Sequence, residues 1–478
     1  MQLEHLLANV NNSYVEDKAH KPHLKEPTLS KIPIWPMWLF GLVTFIDSAD
    51  GSIIRGITTS VEKAFHVSDL FISFLVSAPI AINALVTMPA GYLADRWNRM
   101  KAIGHTLVAW SVVCAAGAFS VSYLFLLASR TLTGFGQGIN EPSANSVIAD
   151  FYPLEGRGRA FSIQQCLNYT GVGVGAAMAG YIAQLFGWRA SFLVVTTPGF
   201  FIAYLAYKLK EPKRGASDLA HVGINSEDNL NERSKLFESG FLNFQKDMIS
   251  GLYQDIKVIL KIPTLRLTLV GVAFILFTVN AVGFWLATFY QRSFHVSEAA
   301  AALYFALLLI IGGIPGTIIG GRLADYYVAK YPNARVVLPS LGAALATTLF
   351  IVSFLDLPIL LTIILQLVGF FTATAAVPAL RAGLSDVTPG TLRGTGFGAF
   401  NLTSVLFGSA AAPIVVGAIS TALHNNLRLA LIIVLPPVYI GAWMLFRARK
   451  HIVKDTEKIF MAIIEAYQKQ SQPNPENN

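Results

Sequence analysis

Charge is scarce in this sequence: Asp, Glu, Lys and Arg make up 13% of its 478 residues, about half the share of an ordinary soluble domain. Hydrophobic residues make up 54% and the mean hydropathy is +0.53. That balance excludes disorder, collagen and soluble coiled coils. Cysteine is nearly absent. The two present, Cys114 and Cys166, lie in apolar runs, which excludes a disulfide scaffold and predicts packing rather than reactivity. There is no phosphate-binding loop, zinc-protease helix or close His/Cys cluster, and His105 alone stands near an apolar run. An ATP-driven pump is therefore disfavoured, an intramembrane enzyme has no visible constellation, and no cofactor or metal is called for. The formal charge of +8 is scattered between apolar segments. With no basic patch interleaved with stacking aromatics, it argues for loops beside an anionic leaflet and against nucleic acid. The polar first 34 residues have neither the apolar core nor the cleavage site of a signal peptide. They are expected to form a tail rather than a removed leader.

Long apolar runs are what the chain has in plenty. Twelve are of spanning length: 35–57, 70–93, 102–120, 123–149, 161–185, 189–209, 265–290, 299–321, 336–355, 358–384, 394–420 and 428–447. The prediction is an all-α membrane protein of twelve transmembrane helices in two six-helix bundles. It divides into a tail (1–34), a first bundle (35–209), a linker (210–264), a second bundle (265–447) and a closing tail (448–478). With both termini on one side, that side collects Lys18 to Lys31, Arg96, Arg99, Lys101, Arg157, Arg159, Arg322, Lys330, Arg335 and Arg393. The opposite side keeps only Lys63, Arg189, Arg292 and Arg428. The positive-inside rule then places both termini in the cytoplasm, in a plasma (inner) membrane. In the linker, Phe241, Phe244, Met248, Leu252, Ile256 and Ile259 recur at helical spacing, which suits a helix at the membrane interface or packed on the bundle. A second amphipathic stretch runs through Ile452, Ile459, Ile463 and Tyr467.

Two short patterns occur twice. Gly91-Tyr-Leu-Ala-Asp95 after span two returns as Gly321-Arg-Leu-Ala-Asp325 after span eight. Asp150-x-x-Pro-x-x-x-Arg157-Gly after span four returns as Asp386-x-x-Pro-x-x-x-Arg393-Gly after span ten. Matching order at offsets of 230 and 236 residues makes the halves parallel six-span repeats. An Asp at a helix end in a crowded loop can accept backbone N–H groups or pair with an Arg. Gly91, Asp95, Arg96, Arg99, Asp150, Arg157, Gly321, Asp325, Asp386 and Arg393 are therefore the candidate conformational latch.

These patterns resemble the major facilitator superfamily over essentially the whole chain. The run from Gly91 to Arg99, with Asn98 where many members carry Gly, is similar to the spinster-like lipid transporters. Ile46-Asp47, Glu211-Pro-Lys-Arg-Gly-Ala216, Gly320-Gly-Arg-Leu-Ala-Asp325 and Leu392-Arg-Gly-Thr395 add to that likeness. Two positions depart from it: Ser48 stands where relatives place Arg, and Gln137 where they place Glu. The resemblance implies a cavity lined by spans one, four, seven and ten.

Charges within spans are costly and mark pathways. Span one has Asp47, Asp50 and Arg55, span four Arg130 and Glu141 with Gln137 between, and span ten Arg381. These seven are the candidate substrate and proton pathway. The spacing of Arg130, Gly134, Gln137 and Glu141 keeps them on one helical face. Asp47 is expected to meet Arg130 or Gln137, either as a proton-responsive group or as a fixed ion pair, and Phe284 and Trp285 would suit a lipid tail or an aromatic drug in the cavity and equally would suit packing. Glycines in spans five, eight and eleven allow close, sliding contacts. The expected function is secondary transport of an amphiphilic or organic anionic small molecule, a lysolipid among the candidates. The chain would work as a monomer in the lipid bilayer, with protons as candidate co-substrate. The competing readings are a non-transporting receptor on the same bundle and a drug exporter.

Overall fold

The computed structural model describes residues 34–94, 98–152, 154–212, 257, 260–328, 330–331, 333–387, 402–458 and 461. Twelve long helical segments follow one another there: α1 (Ile34–Phe65), α2 (Asp69–Ala94), α3 (Arg99–Ala116), α4 (Tyr123–Phe151), α5 (Leu154–Phe186) and α6 (Trp188–Lys208) in the first half. The second half has α7 (Pro263–Phe294), α8 (Glu298–Val328), α9 (Ala334–Ser353), α10 (Ile359–Asp386), α11 (Ser404–Ala422) and α12 (Leu427–Ala448). Ten of them, among the described residues, are long and apolar enough to cross a membrane. The other two, α4 and α5, are 29 and 33 residues long, so length is not what they lack. Arg130, Gln137 and Asn140 interrupt α4, and Gln164, Gln165 and Asn168 interrupt α5. Such residues persist in a span only where they face a polar interior. The linker residues Phe241, Phe244, Met248, Leu252, Ile256 and Ile259 and residues 394–401 of the eleventh span lie outside the described residues.

Packing follows the repeat. In the first half α1 lies along α5, α2 along α4, and α3 against α4 and α6. In the second, α7 packs on α12, α9 on α10 and α12, and α8 on α10. The halves meet where α5 touches α8 and α2 touches α11. Glycine makes the closest of these approaches possible: a Cβ on Gly175 would strike the Ala49 backbone of α1, and one on Gly320 the Ala375 backbone of α10. Side chains such as Phe186, Leu360, Phe407 and Trp443 point outward and stay exposed, as lipid-facing positions do. Phe284 and Trp285 are buried in the core, and the indole donates to the Pro413 carbonyl. Of the two places open to them, cavity wall or packing, these residues take packing, in a core cluster drawn from both halves.

The helix ends hold a third repeat. Phe65-His-Val-Ser-Asp69 joins α1 to α2, and Phe294-His-Val-Ser-Glu298 joins α7 to α8. Both histidines are left-handed, φ 52° at His66 and 53° at His295, the conformation that ends a helix by turning the chain away. Ser297 caps the next helix by accepting from the Ala300 N–H at 3.2 Å, and each repeat sets an acid on the following helix's first turn. A kink in α1 at Ile57 re-aims the turn that carries Ser60, Glu62 and Lys63.

Candidate functional site

A cavity of about 680 Å³ lies between the halves. One wall comes from Thr44 and Asp47 of α1, Asn140 and Asn145 of α4, and Gln164 and Asn168 of α5. The facing wall holds Ile314, Thr317, Ile318 and Arg322 of α8 with Pro378 of α10. These residues occupy the parts of the helices toward the end where α1 begins. A smaller chamber of about 150 Å³ adjoins it, sharing Asp47 and lined also by Ser48, Gly51, Arg55, Arg130 and Gln137. The polar wall is braced from within: the Gln164 amide donates to the Thr44 hydroxyl at 3.0 Å and the Asn168 amide to the Ser48 hydroxyl at 2.7 Å. Asn140 is 3% exposed, and neither its amide oxygen nor its nitrogen has a hydrogen-bond partner.

The charge pair in this region is not the expected one. Arg130 Nη1 donates to Asp50 Oδ1 at 2.8 Å, and Nη2 reaches Asp50 Oδ2 at 3.3 Å and the Asp50 carbonyl at 3.2 Å. The Trp110 indole donates to the same carboxylate at 3.0 Å and the Cys114 thiol donates to it as well. Both ions are almost wholly buried. Asp50 therefore takes the guanidinium that Asp47 was expected to meet, and Asp47 remains on the wall of both chambers. The two carboxylates lie three residues apart on one helical face, so spacing alone could not separate them. Cys114 packs as expected and adds a hydrogen bond, whereas Cys166 lines the large cavity.

Ionic clusters stand at both ends of the bundle and differ in what they join. At the end where α1 begins, Arg99 binds Asp150 at 2.5 Å and Glu211 at 2.9 Å. This unites two of the latch candidates within the first half. At the other end Arg292 of α7 binds Glu62 of α1 at 2.9 Å and Asp69 of α2 at 2.6 Å, bridging the halves. Ser420 of α11 also donates to Asp69, and the Ser60 hydroxyl and N–H both donate to Glu298 of α8. The two repeat-related acids, Asp69 and Glu298, thus each accept from the opposite half.

Of the other expected residues, Gly91 lies in α2, and Gly321 lies in α8, where an added Cβ would touch Pro378 at 3.6 Å. Glu141, Arg157, Asp325, Arg381 and Asp386 lie in helices, but their side chains are outside the described residues, as are Asp95, Arg96 and Arg393 altogether. Sequence reasoning missed Ser60, Glu62, Asp69, Arg292 and Glu298, and the duplicated Phe-His-Val-Ser was the signal that would have found them. It also missed Asn140, Gln164 and Asn168, whose signal was amide side chains inside spans.

Comparison with known proteins adds a family and a fold. The profile described as Major Facilitator Superfamily matches residues 40–413. Protein spinster of Drosophila melanogaster is 24% identical over 326 residues, 64% of this chain and 48% of that protein. The niacin transporter NiaP of Acinetobacter baylyi is 30% identical over 190 residues, 39% of this chain and 43% of its own length. The chain thus matches about half the length of each of these two relatives. Among solved structures, a bacterial homolog of the human lysosomal transporter Spinster, in its inward-facing and unoccupied conformation, shares the fold. It has a TM-score of 0.74 at 22% identity and covers 90% of this chain and 99% of that one.

Proposed function

The chain belongs to the Major Facilitator Superfamily, and on that premise we propose that it is a secondary active transporter working by alternating access. Its cargo is an amphiphilic or organic anionic small molecule, the class that includes both lysolipids and the niacin carried by one relative. The observation that carries this reading is the asymmetry between the two ends: Arg292, Glu62 and Asp69 tie the halves together at one end, while the cavity between the halves lies toward the other. That is the arrangement of a two-state machine closed on one side of the membrane. The positive-inside distribution makes the tied end the outer one, with both termini in the cytoplasm of a cell with this protein in its plasma membrane. The first bundle (35–209) and the second (265–447) are the rocking units, joined by the 210–264 linker, and the chain acts as a monomer.

Protons are the proposed coupling ion, with Asp47 as the responsive group. Arg130 already neutralises Asp50, while Asp47 faces both chambers. Asp47→Asn is expected to leave uptake flat between about pH 5.5 and 8.5, a range in which a cavity carboxylate can titrate and an amide cannot. Retention of the wild-type profile in this variant would move the role elsewhere.

Alternation itself is tested with two cysteines: native Cys166 in the cavity and Ser420→Cys beside Asp69. Arg292→Ala is expected to slow alkylation at Cys166 and speed it at Ser420→Cys, the ratio of the two rates changing about tenfold, as loss of a contact worth about 1.4 kcal/mol would require. A static receptor would show no reciprocal change.

A further inference from the structure

Resting on the reading that this cavity carries an organic solute, we infer that it is built for a hydroxylated carboxylate, with Arg55 anchoring the carboxylate and Asn140 reading a hydroxyl. Two cations line the small chamber, and they differ in having a counter-ion. Both terminal nitrogens of Arg130 bind Asp50, although its Nε, like that of Arg55, has no hydrogen-bond partner. Arg55 has no acidic group within ion-pair distance among the described residues, and its buried Nε lacks any hydrogen-bond partner. A guanidinium within a span, half-buried and without a counter-ion, carries an uncompensated charge. A carboxylate entering the chamber supplies the missing charge and can accept two parallel N–H bonds. The Gln137 and Ser48 side chains line the same chamber and offer neutral hydrogen-bonding groups beside that acid end.

Asn140 carries the second part of the inference. Its amide has two donor hydrogens and two acceptor lone pairs, and both ends are buried and unpartnered on the wall of the large cavity. Leaving such a group without a partner is costly. A hydroxyl is the simplest ligand group that can both donate to the amide oxygen and accept from its nitrogen. Around it stand Asn145, Gln164, Gln165 and Asn168. An alkyl chain laid along this wall would leave the Asn140 amide buried against hydrocarbon with no partner. The wall chemistry therefore selects a small polar acid over a lipid tail within the wider class of cargo.

The test uses the purified full-length protein and three six-carbon probes: D-gluconate with carboxylate and hydroxyls, hexanoate with the carboxylate alone, and D-glucitol with hydroxyls alone. Gluconate is expected to raise the unfolding temperature and to protect Cys166 from alkylation, and the other two to do so weakly. Arg55→Gln should weaken gluconate about tenfold, to the level of glucitol, with partial recovery in Arg55→Lys. Asn140→Ala should reduce gluconate to the level of hexanoate. Because Arg55→Gln removes an uncompensated cation, the unliganded variant is expected to fold at least as well as wild type. Equal gluconate binding in Arg55→Gln overturns the anchor. The substrate class falls if gluconate fails to bind wild type, if hexanoate matches it, or if lysophosphatidylcholine stabilises wild type more strongly. The reciprocal labelling of Cys166 and Ser420→Cys reads alternation separately, so transport can stand when the substrate class fails, and the reverse.

Discussion

At the scale of single residues, the buried Asp50–Arg130 pair has the largest energetic consequence. Asp50 accepts from Arg130, Trp110 and Cys114, which satisfies a charge that would otherwise be prohibitive in a span. Removing one partner leaves the other ion buried alone, so Asp50→Ala is expected to cost about 3–5 kcal/mol of stability. Replacing both, as Asp50→Leu with Arg130→Met, should recover most of that, because two apolar groups have no desolvation penalty. Thermal unfolding of the three variants checks this; a double variant no better than the single one would mean that the pair contributes more than mutual neutralisation. The sequence places Asp47, Asp50 and Arg130 inside spans, since charge within an apolar run is visible directly. Which carboxylate meets the arginine depends on the rotation of α1 against α4, and helical spacing does not contain that.

At the scale of elements, α4 and α5 are helices that apolarity alone undersells. Their polar residues are the cavity wall, so weak hydropathy is itself the functional signal. Gly175 shows how tightly the wall is set against α1: an added side chain meets the Ala49 backbone, which cannot yield as a flexible side chain would. Gly175→Val is expected to destabilise the protein by about 1–3 kcal/mol through overpacking, read as a lower unfolding temperature. Gly173 differs, because it faces Ala306 of α8 across the halves and its Cβ would lie 3.3 Å away. Gly173→Ala should therefore leave the unfolding temperature nearly unchanged while altering the ratio of Cys166 to Ser420→Cys labelling. Equal losses of stability in both variants would mean that the α5–α8 contact is as rigid as the α1–α5 one.

At the scale of the whole molecule, the repeated Phe-His-Val-Ser turns place one acid from each half against the other half. The arms are unequal: Asp69 meets a guanidinium at 2.6 Å, whereas Glu298 meets the hydroxyl and N–H of Ser60. Glu298→Ala is expected to shift the labelling ratio in the same direction as Arg292→Ala but less far. The double variant should show the sum of the two free-energy shifts within about 0.5 kcal/mol, since the contacts share no partner. A shift well above the sum would make the closure at this end a single cooperative unit.

From the sequence alone come the twelve spans, the parallel halves and the polar residues that cannot be lipid-facing, because each is a property of composition, period or repetition along one chain. Tertiary structure decided what those features do to one another: Arg130 goes to Asp50, Phe284 and Trp285 go to the core, Arg292, Asp69 and Glu298 make polar contacts across the halves, and Arg99 pairs within the first half. The physical reason is that an ion pair depends on the relative rotation and end-to-end position of two helices, set by glycine contacts and kinks many residues away. The hydrophobic pattern constrains only which face of each helix avoids water.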